Sequence, residues 1–119
     1  MRKFPKISDA ELQVMEVLWR RSPLTASEII EDLIDTDWSP KTIHTLINRL
    51  VDKQAAEVCK EKSPYEFSPL IAEDAYKGEE ARSFLKRMYD GSLNMLVASF
   101  IKDDTLTSEE IEELKKLLG

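Results

Sequence analysis

The sequence predicts a mainly α-helical chain with one small β-hairpin. Three segments with helical spacing of their apolar residues precede a short stretch in which that spacing is lost. Helical spacing returns from about Leu70 and continues to the end of the 119 residues. Three helices followed by a two-stranded hairpin is the order of elements in a winged helix-turn-helix domain. We therefore expect such a domain at residues 1–70 and an α-helical dimerisation region at residues 71–119.

Two capping boxes mark the beginnings of the first two helices. Ser8 and Thr25 are each followed, three residues later, by a glutamate. In such a box the hydroxyl accepts a hydrogen bond from a free backbone N–H at the helix start, and the glutamate accepts one in return. The pair Ser22-Pro23 is expected to end the first helix, and the polar residues 35–37 the second.

The third helix is predicted to begin at Ser39, with Pro40 at the first helical position, where no N–H is needed. We expect it to reach about Gln54. Its apolar residues recur on one side: Ile43, Leu46, Ile47, Leu50 and Val51. Residues 57–60 and 65–68 follow as two short segments around a turn-like stretch, and we predict that they pair as a β-hairpin.

The segment from residue 71 onward reads as three helices, the last opened by a third capping box at residues 107–110. It has fewer than fifty residues, which rarely suffice for an independent core, yet it carries many large apolar side chains. A second copy of the chain is the simplest cover for them. We predict a homodimer whose interface is formed by Phe84, Leu85, Met88, Leu93, Leu96, Val97, Phe100, Ile101 and Leu114.

The side of the third helix opposite its apolar residues carries long cations, hydroxyls and an amide. These groups suit the phosphates and the base edges of a DNA major groove. The predicted partner is therefore double-stranded DNA. We predict contacts from six residues of this helix and two lysines of the hairpin: Lys41, Thr42, His44, Thr45, Asn48, Arg49, Lys60 and Lys62. The two lysines share the hairpin with acidic residues, so contact by the hairpin is left open.

Two other interpretations compete with DNA binding. Each of these polar residues taken alone suits an ordinary solvated helix face, and only their combination with the other elements favours DNA. The net charge of −6 also opposes a nucleic-acid partner, although a local basic face can act alone because charges beyond ~8 Å are largely screened. The rival function is a winged-helix module that binds other proteins and not DNA. A third helix whose polar face is buried against its own chain would favour that rival.

The composition argues against an enzyme. The three glycines are scattered, which excludes a glycine-rich phosphate loop. His44 and Cys59 are the only residues of their types, so we predict no metal site and no cofactor; Cys59 is expected to be a small packed side chain. The longest mainly apolar run, Met95 to Ile101, has seven residues and is broken by Ser99, so it is far from the ~20 of a membrane span. We expect a cytoplasmic protein without direct membrane contact.

Two segments carry a resemblance to a known family. They are Ile-Ser-Asp-Ala-Glu-Leu-Gln-Val-Met-Glu-Val-Leu-Trp at 7–19 and Trp-Ser-Pro-Lys-Thr-Ile-His-Thr-Leu-Ile-Asn-Arg-Leu at 38–50. Together with residues 83–85, 89–91 and 109–114, they resemble the penicillinase-repressor family (BlaI/MecI/CopY) across essentially the whole chain. The resemblance implies a homodimeric winged-helix repressor, bound to a two-fold operator ahead of β-lactam resistance or related stress genes.

The same resemblance implies a mode of release. In the β-lactam branch a membrane sensor-protease signals the drug, and the repressor is cut at an Asn-Phe bond in its dimerisation helices. The matching bond here is Ser99-Phe100, which makes these two residues the implied cleavage site. Serine stands there in place of the asparagine, so the alternative is a response to another protease or another signal. The chain departs from the family at Gln54, where many members carry glycine. It also lacks the paired C-terminal cysteines of the copper-responsive branch, so copper sensing is not expected.

Overall fold

The structure, a computed structural model, describes residues 3–103 and 105–118. Its helices are α1 (Asp9–Arg20), α2 (Ala26–Asp32), α3 (Pro40–Asp52), α4 (Glu73–Tyr89), α5 (Leu93–Lys102) and α6 (Ser108–Leu118). Its strands are β1 (Leu24–Thr25), β2 (Ala56–Cys59) and β3 (Glu66–Pro69). The predicted mainly α class with a winged helix-turn-helix is confirmed. The chain divides into two compact units, of which the first ends within α4 at Lys77 and the second begins at Gly78.

All three capping boxes form as predicted. At the start of α1, Ser8 Oγ accepts from the Glu11 N–H at 3.1 Å, and Glu11 Oε1 accepts from the Ser8 N–H at 2.8 Å. Thr25 and Glu28 form the same pair of hydrogen bonds at the start of α2. Thr107 and Glu110 form it at the start of α6. Each box satisfies backbone donors that have no partner inside the helix.

The predicted hairpin forms between β2 and β3, with both strands within one residue of their predicted bounds. A third strand, which the sequence did not predict, lies beside it. β1 pairs antiparallel with β3, with Leu24 opposite Phe67, so the sheet order is β1-β3-β2. Two residues are too few to show an alternating pattern, and their pairing joins positions over forty residues apart.

The core of the first unit forms where α1, α2 and α3 pack against one face of the sheet. Trp19 and Tyr76 extend this core to the start of α4. The Trp19 Nε1–H donates to the carbonyl of Ile71 at 2.9 Å, and the ring of Trp19 lies 6.1 Å from that of Tyr76. The fully buried large side chains are Glu11, Val14, Met15, Val17, Leu18, Ile29, Ile43, Ile47 and Leu50.

The second unit leaves most of its apolar side chains partly open. None of the described residues of α5 is buried. Among the predicted dimer residues, Leu85, Leu96, Val97 and Leu114 are half-buried, while Phe84, Met88, Leu93, Phe100 and Ile101 are exposed. An apolar groove of about 320 Å³ runs between α5 and α6. The unit thus has an apolar surface that its own side chains do not cover.

Candidate nucleic-acid interface

Helix α3 separates its apolar and polar residues onto opposite sides. Its apolar side is turned into the first unit's core, where Ile43, Leu46, Ile47 and Leu50 are at most 5% exposed. The six residues predicted to contact DNA are all exposed: Lys41, Thr42, His44, Thr45, Asn48 and Arg49. The structure therefore brings the predicted helix residues together on one solvent-facing surface, which we call the α3 face.

The first turn of α3 is held by local hydrogen bonds. Ser39 Oγ accepts from the Thr42 N–H at 3.2 Å and lies 3.1 Å from Thr42 Oγ1. One turn further, the Thr45 hydroxyl donates to the Lys41 carbonyl at 3.1 Å. These bonds fix both threonine side chains on the helix, so the α3 face presents its hydroxyls in a defined arrangement.

The cations of the α3 face have no acidic partner in the part of the chain that the structure describes. Within residues 3–103 and 105–118, neither Lys41 nor Arg49 makes an ion pair. The same holds there for Lys60 and Lys62, which lie exposed between β2 and β3. Their charges are available to a ligand without breaking a contact inside the described part of the chain.

The hairpin differs from expectation at Cys59. We expected a packed side chain, but the thiol is exposed. Along β2 buried Ala56 and half-buried Val58 alternate with exposed Glu57 and Cys59. Because successive side chains of a strand point to opposite faces, a cysteine two residues after an exposed position is exposed as well.

An ion pair between buried Glu11 and the partly exposed side chain of Lys53 joins the C-terminal end of α3 to the start of α1, and sequence reasoning did not find it. Glu11 is 1% exposed, and Lys53 Nζ donates to its Oε1 at 2.6 Å and to the Lys6 carbonyl at 2.8 Å. Burial alone would raise the pKa of Glu11, but hydrogen bonds from Lys53 and Ser8 outweigh it and hold the pKa below its ordinary value. The capping box indicated the role of Glu11; nothing local indicated Lys53.

The implied cleavage site lies inside a helix. Ser99 is half-buried in α5, and its Oγ lies 3.5 Å from the Tyr89 hydroxyl. The carbonyls of Ser99 and Phe100 accept hydrogen bonds at 3.2 Å from the backbone N–H groups of Asp103 and Thr105, respectively. The bond between the two residues is therefore part of a hydrogen-bonded helical backbone.

The described residues contain no group of three or more His, Cys, Asp or Glu side chains that could hold a metal ion. None of their helices combines the length and apolar character that crossing a bilayer requires. The polar surface of α3 is the feature of the first unit that most needs a functional explanation.

Comparison with known proteins decides the family. The sequence profile of the penicillinase repressor family matches residues 7–119. This chain belongs to the penicillinase repressor family. The family consists of DNA-binding transcriptional repressors and not of enzymes, in agreement with the composition.

Relatives in the penicillinase repressor family match nearly the full chain. The penicillinase repressor of Bacillus licheniformis is 44% identical over 119 residues, covering 99% of this chain and 93% of its own. The methicillin resistance regulatory protein MecI of Mammaliicoccus sciuri is 37% identical over 115 residues, covering 96% of this chain and 94% of its own. The resemblance read from the sequence is thereby confirmed.

A solved structure in the penicillinase repressor family extends the comparison to the fold. It is the solution structure of the monomeric form of Bacillus licheniformis BlaI in complex with the blaP half-operator. It superposes with a TM-score of 0.56 at 44% identity, covering 64% of this chain and 94% of that one. The solution structure of the DNA-binding domain of the repressor BlaI gives 0.55 at 45% identity, with the same coverage. Both likenesses support the winged-helix description of the first unit.

Proposed function

We propose that this chain is a homodimeric repressor that binds a two-fold DNA operator through its α3 face and controls β-lactam resistance or related stress genes. The observation that carries the proposal is the α3 face itself. It is exposed, it holds two cations without an acidic partner among the described residues, and it lies on a fold similar to a repressor solved with its half-operator. The rival protein-binding module would be favoured by a buried polar face, and here the face is open to solvent.

The residue types on the α3 face divide between two tasks. Arg49 and Asn48 can each make paired hydrogen bonds to a base edge, arginine with guanine and asparagine with adenine. Lys41, near the helix N-terminus, suits a phosphate, as do the hydroxyls of Thr42 and Thr45. Lys60 and Lys62 would add phosphate contacts from the hairpin. In this arrangement base contacts give specificity, and phosphate contacts fix the position of the domain on the duplex.

The net charge of −6 is compatible with this proposal because of where the charges lie. Acidic residues are frequent in α6, which belongs to the second unit. None of the six predicted contact residues of the α3 face is a carboxylate, and exposed Asp52 lies beyond them at the last position of α3. Screening with a Debye length of ~8 Å at physiological salt limits repulsion between DNA and acidic residues elsewhere.

The deciding experiment measures binding of the full chain to a duplex from upstream of its own gene. Fluorescence anisotropy at several salt concentrations should give tighter binding to this duplex than to a scrambled one, with an affinity that falls as salt rises. Asn48→Ala should weaken binding, whereas Arg87→Ala, an exposed cation of α4, should serve as the matched control. Equal affinity for both duplexes, or no effect of Asn48→Ala, would favour the protein-binding rival.

The proposal includes dimerisation by the second unit. The apolar groove between α5 and α6, lined by Leu93, Leu96, Val97, Phe100 and Leu114 among others, supports it because a groove of this character is favourably covered by a second copy. A two-fold dimer would present two α3 faces to two half-sites. A sensor-protease that cuts Ser99-Phe100 would divide the α5 side of that groove and so release the operator.

A further inference from the structure

Besides its packing in the core, the end of α3 makes a polar contact with the start of α1 through the side chain of Lys53. Lys53 follows α3 directly, and its backbone N–H donates to the Arg49 carbonyl at 2.9 Å, which continues the helical pattern by one residue. Its Nζ then makes two contacts with the segment before and within α1. One is the 2.6 Å contact with Glu11 Oε1, and the other is the 2.8 Å contact with the Lys6 carbonyl.

The acceptor of this contact is itself held rigidly. Glu11 is almost completely buried, and its Oε1 also accepts from the Ser8 N–H at the helix cap. A carboxylate fixed by a cap and removed from water cannot turn to follow a moving lysine. Lys53 therefore adds a directional contact to the core packing that places the C-terminal end of α3 relative to α1.

The electrostatic state of Lys53 sets it apart from the cations of the α3 face. The positive charge of Lys53 is compensated by a buried carboxylate at 2.6 Å, while Lys41 and Arg49 have no such partner among the described residues. A phosphate would have to compete with that carboxylate for the same ammonium group. Lys53 is thus poorly suited to neutralise DNA, although it stands only four residues from Arg49.

We infer that Lys53 is a positioning residue for DNA reading, which helps to orient α3 through its contact with Glu11. Discrimination between DNA sequences then depends on the Glu11–Lys53 pair, whereas neutralisation of DNA phosphates does not. This inference rests on the proposed function of the α3 face. A reading helix must hold its side chains close to their hydrogen-bonding geometry, because a small rotation of the helix moves every base contact at once. Phosphate contacts made by the long, flexible side chains of lysine and arginine tolerate such a rotation better than base contacts do.

The test uses the full chain with the double variant E11Q/K53M. Removing the lysine alone would leave a buried carboxylate without a charged partner and could unfold the domain. In the double variant, glutamine still accepts from the Ser8 N–H, and methionine keeps an unbranched apolar stem of similar length without the charge. The single variant K53R, which retains the charge and a donor, is the conservative comparison, and circular dichroism verifies that each variant is folded.

Affinities are measured for the duplex from upstream of its own gene and for a scrambled duplex, across a salt series. For E11Q/K53M we expect the ratio of the affinity for the upstream duplex to that for the scrambled duplex to fall about tenfold or more. The salt slope on scrambled DNA should not change. The ratio for K53R should lie between those of E11Q/K53M and wild type. A salt slope on scrambled DNA that is smaller by about one unit would show that Lys53 contacts a phosphate and would overturn the inference. An unchanged ratio in a folded variant would overturn it too, by reducing the pair to a stabilising contact. A wild-type chain that binds both duplexes equally would instead overturn the proposed function, and this inference with it.

Discussion

Arg49 lies one turn before the end of α3, exposed and without an ionic partner in the described part of the chain. If it reads a guanine, Arg49→Ala should cost about 1–3 kcal/mol of binding free energy and relax specificity at one operator position. If it neutralises a phosphate, the loss should be equal on all sequences, and the salt slope should shrink by about one unit. Binding to operators with single base changes distinguishes the two. An Arg49→Ala chain with wild-type affinity and specificity would remove Arg49 from the interface.

Glu11 gives the stability of the chain a specific pH dependence. Its pKa in the folded protein lies below the ordinary value of 4.5, so folding favours the ionised form. The stabilisation is therefore complete above about pH 4.5 and is lost as the pH falls through the lowered pKa. Urea denaturation at fixed protein concentration should show a smaller loss of stability on acidification for Glu11→Gln than for wild type. Glu57→Gln, at an exposed position of β2, is the control and should follow wild type. Parallel curves for wild type and Glu11→Gln would contradict the prediction.

At the scale of the element, the end of α3 shows how the chain turns from its third helix into the hairpin. Gln54 has a φ of 64°, in the left-handed region. Around it, the Ala55 N–H donates to the Leu50 carbonyl at 2.9 Å and the Gln54 N–H to the Val51 carbonyl at 3.0 Å. This pair of bonds is a Schellman motif, whose left-handed position is usually glycine. The glutamine thus adopts a backbone conformation that glycine takes with less strain.

This helix end gives a stability prediction. Gln54→Gly should raise the free energy of unfolding by about 1 kcal/mol, because a left-handed conformation strains a residue with a Cβ. Gln54→Ala keeps the Cβ and is the matched control, which should bring no gain. Denaturant unfolding of the three chains measures the effect. A Gln54→Gly chain no more stable than Gln54→Ala would show that the helix end carries no strain.

Features that depend on neighbouring residues were predicted from the sequence, whereas those that depend on distant residues were not. The three capping boxes are local patterns, and each forms within a segment of four residues. The hairpin was recognised from turn residues between two short segments, which are local as well. β1 was missed because only its pairing with β3 makes Leu24–Thr25 a strand. The Glu11–Lys53 pair was missed because it joins positions 42 residues apart.

At the scale of the whole molecule, the apolar surface of the second unit predicts a dimer. Leu96→Gln combined with Phe100→Gln should produce monomers, since both side chains line the groove between α5 and α6. DNA affinity should fall about 100-fold or more, because two half-site contacts linked by a dimer gain from effective concentration. Analytical ultracentrifugation and anisotropy measure the two effects. Ile34→Gln, at an apolar position of the first unit that is 76% exposed, is the control and should remain dimeric. A wild-type chain that sediments as a monomer at micromolar concentration would contradict the prediction.

The proposed release by proteolysis also belongs to the scale of the whole molecule, because a cut in the second unit would have to lower DNA binding by the first. The Ser99-Phe100 bond lies in hydrogen-bonded helix, so a protease must unwind this part of α5 to reach it. We expect cells exposed to a β-lactam to accumulate fragments ending at Ser99, as measured by mass spectrometry. Ser99→Asn, which creates an Asn-Phe bond at this position, should increase the cleaved fraction. Intact repressor in cells whose resistance genes are switched on would rule out this mechanism for this chain.

The sequence by itself determined the helices, their caps, the hairpin and which residues belong to the α3 face. Periodicity and capping are set by residues within a few positions of each other, so Lys41, Asn48 and Arg49 could be assigned to one side of a helix without coordinates. Only the tertiary structure decided that this side is open to solvent and that Lys53 is tied to buried Glu11. Those outcomes depend on which distant segments pack together, and packing is governed by the burial of whole faces and not by local spacing.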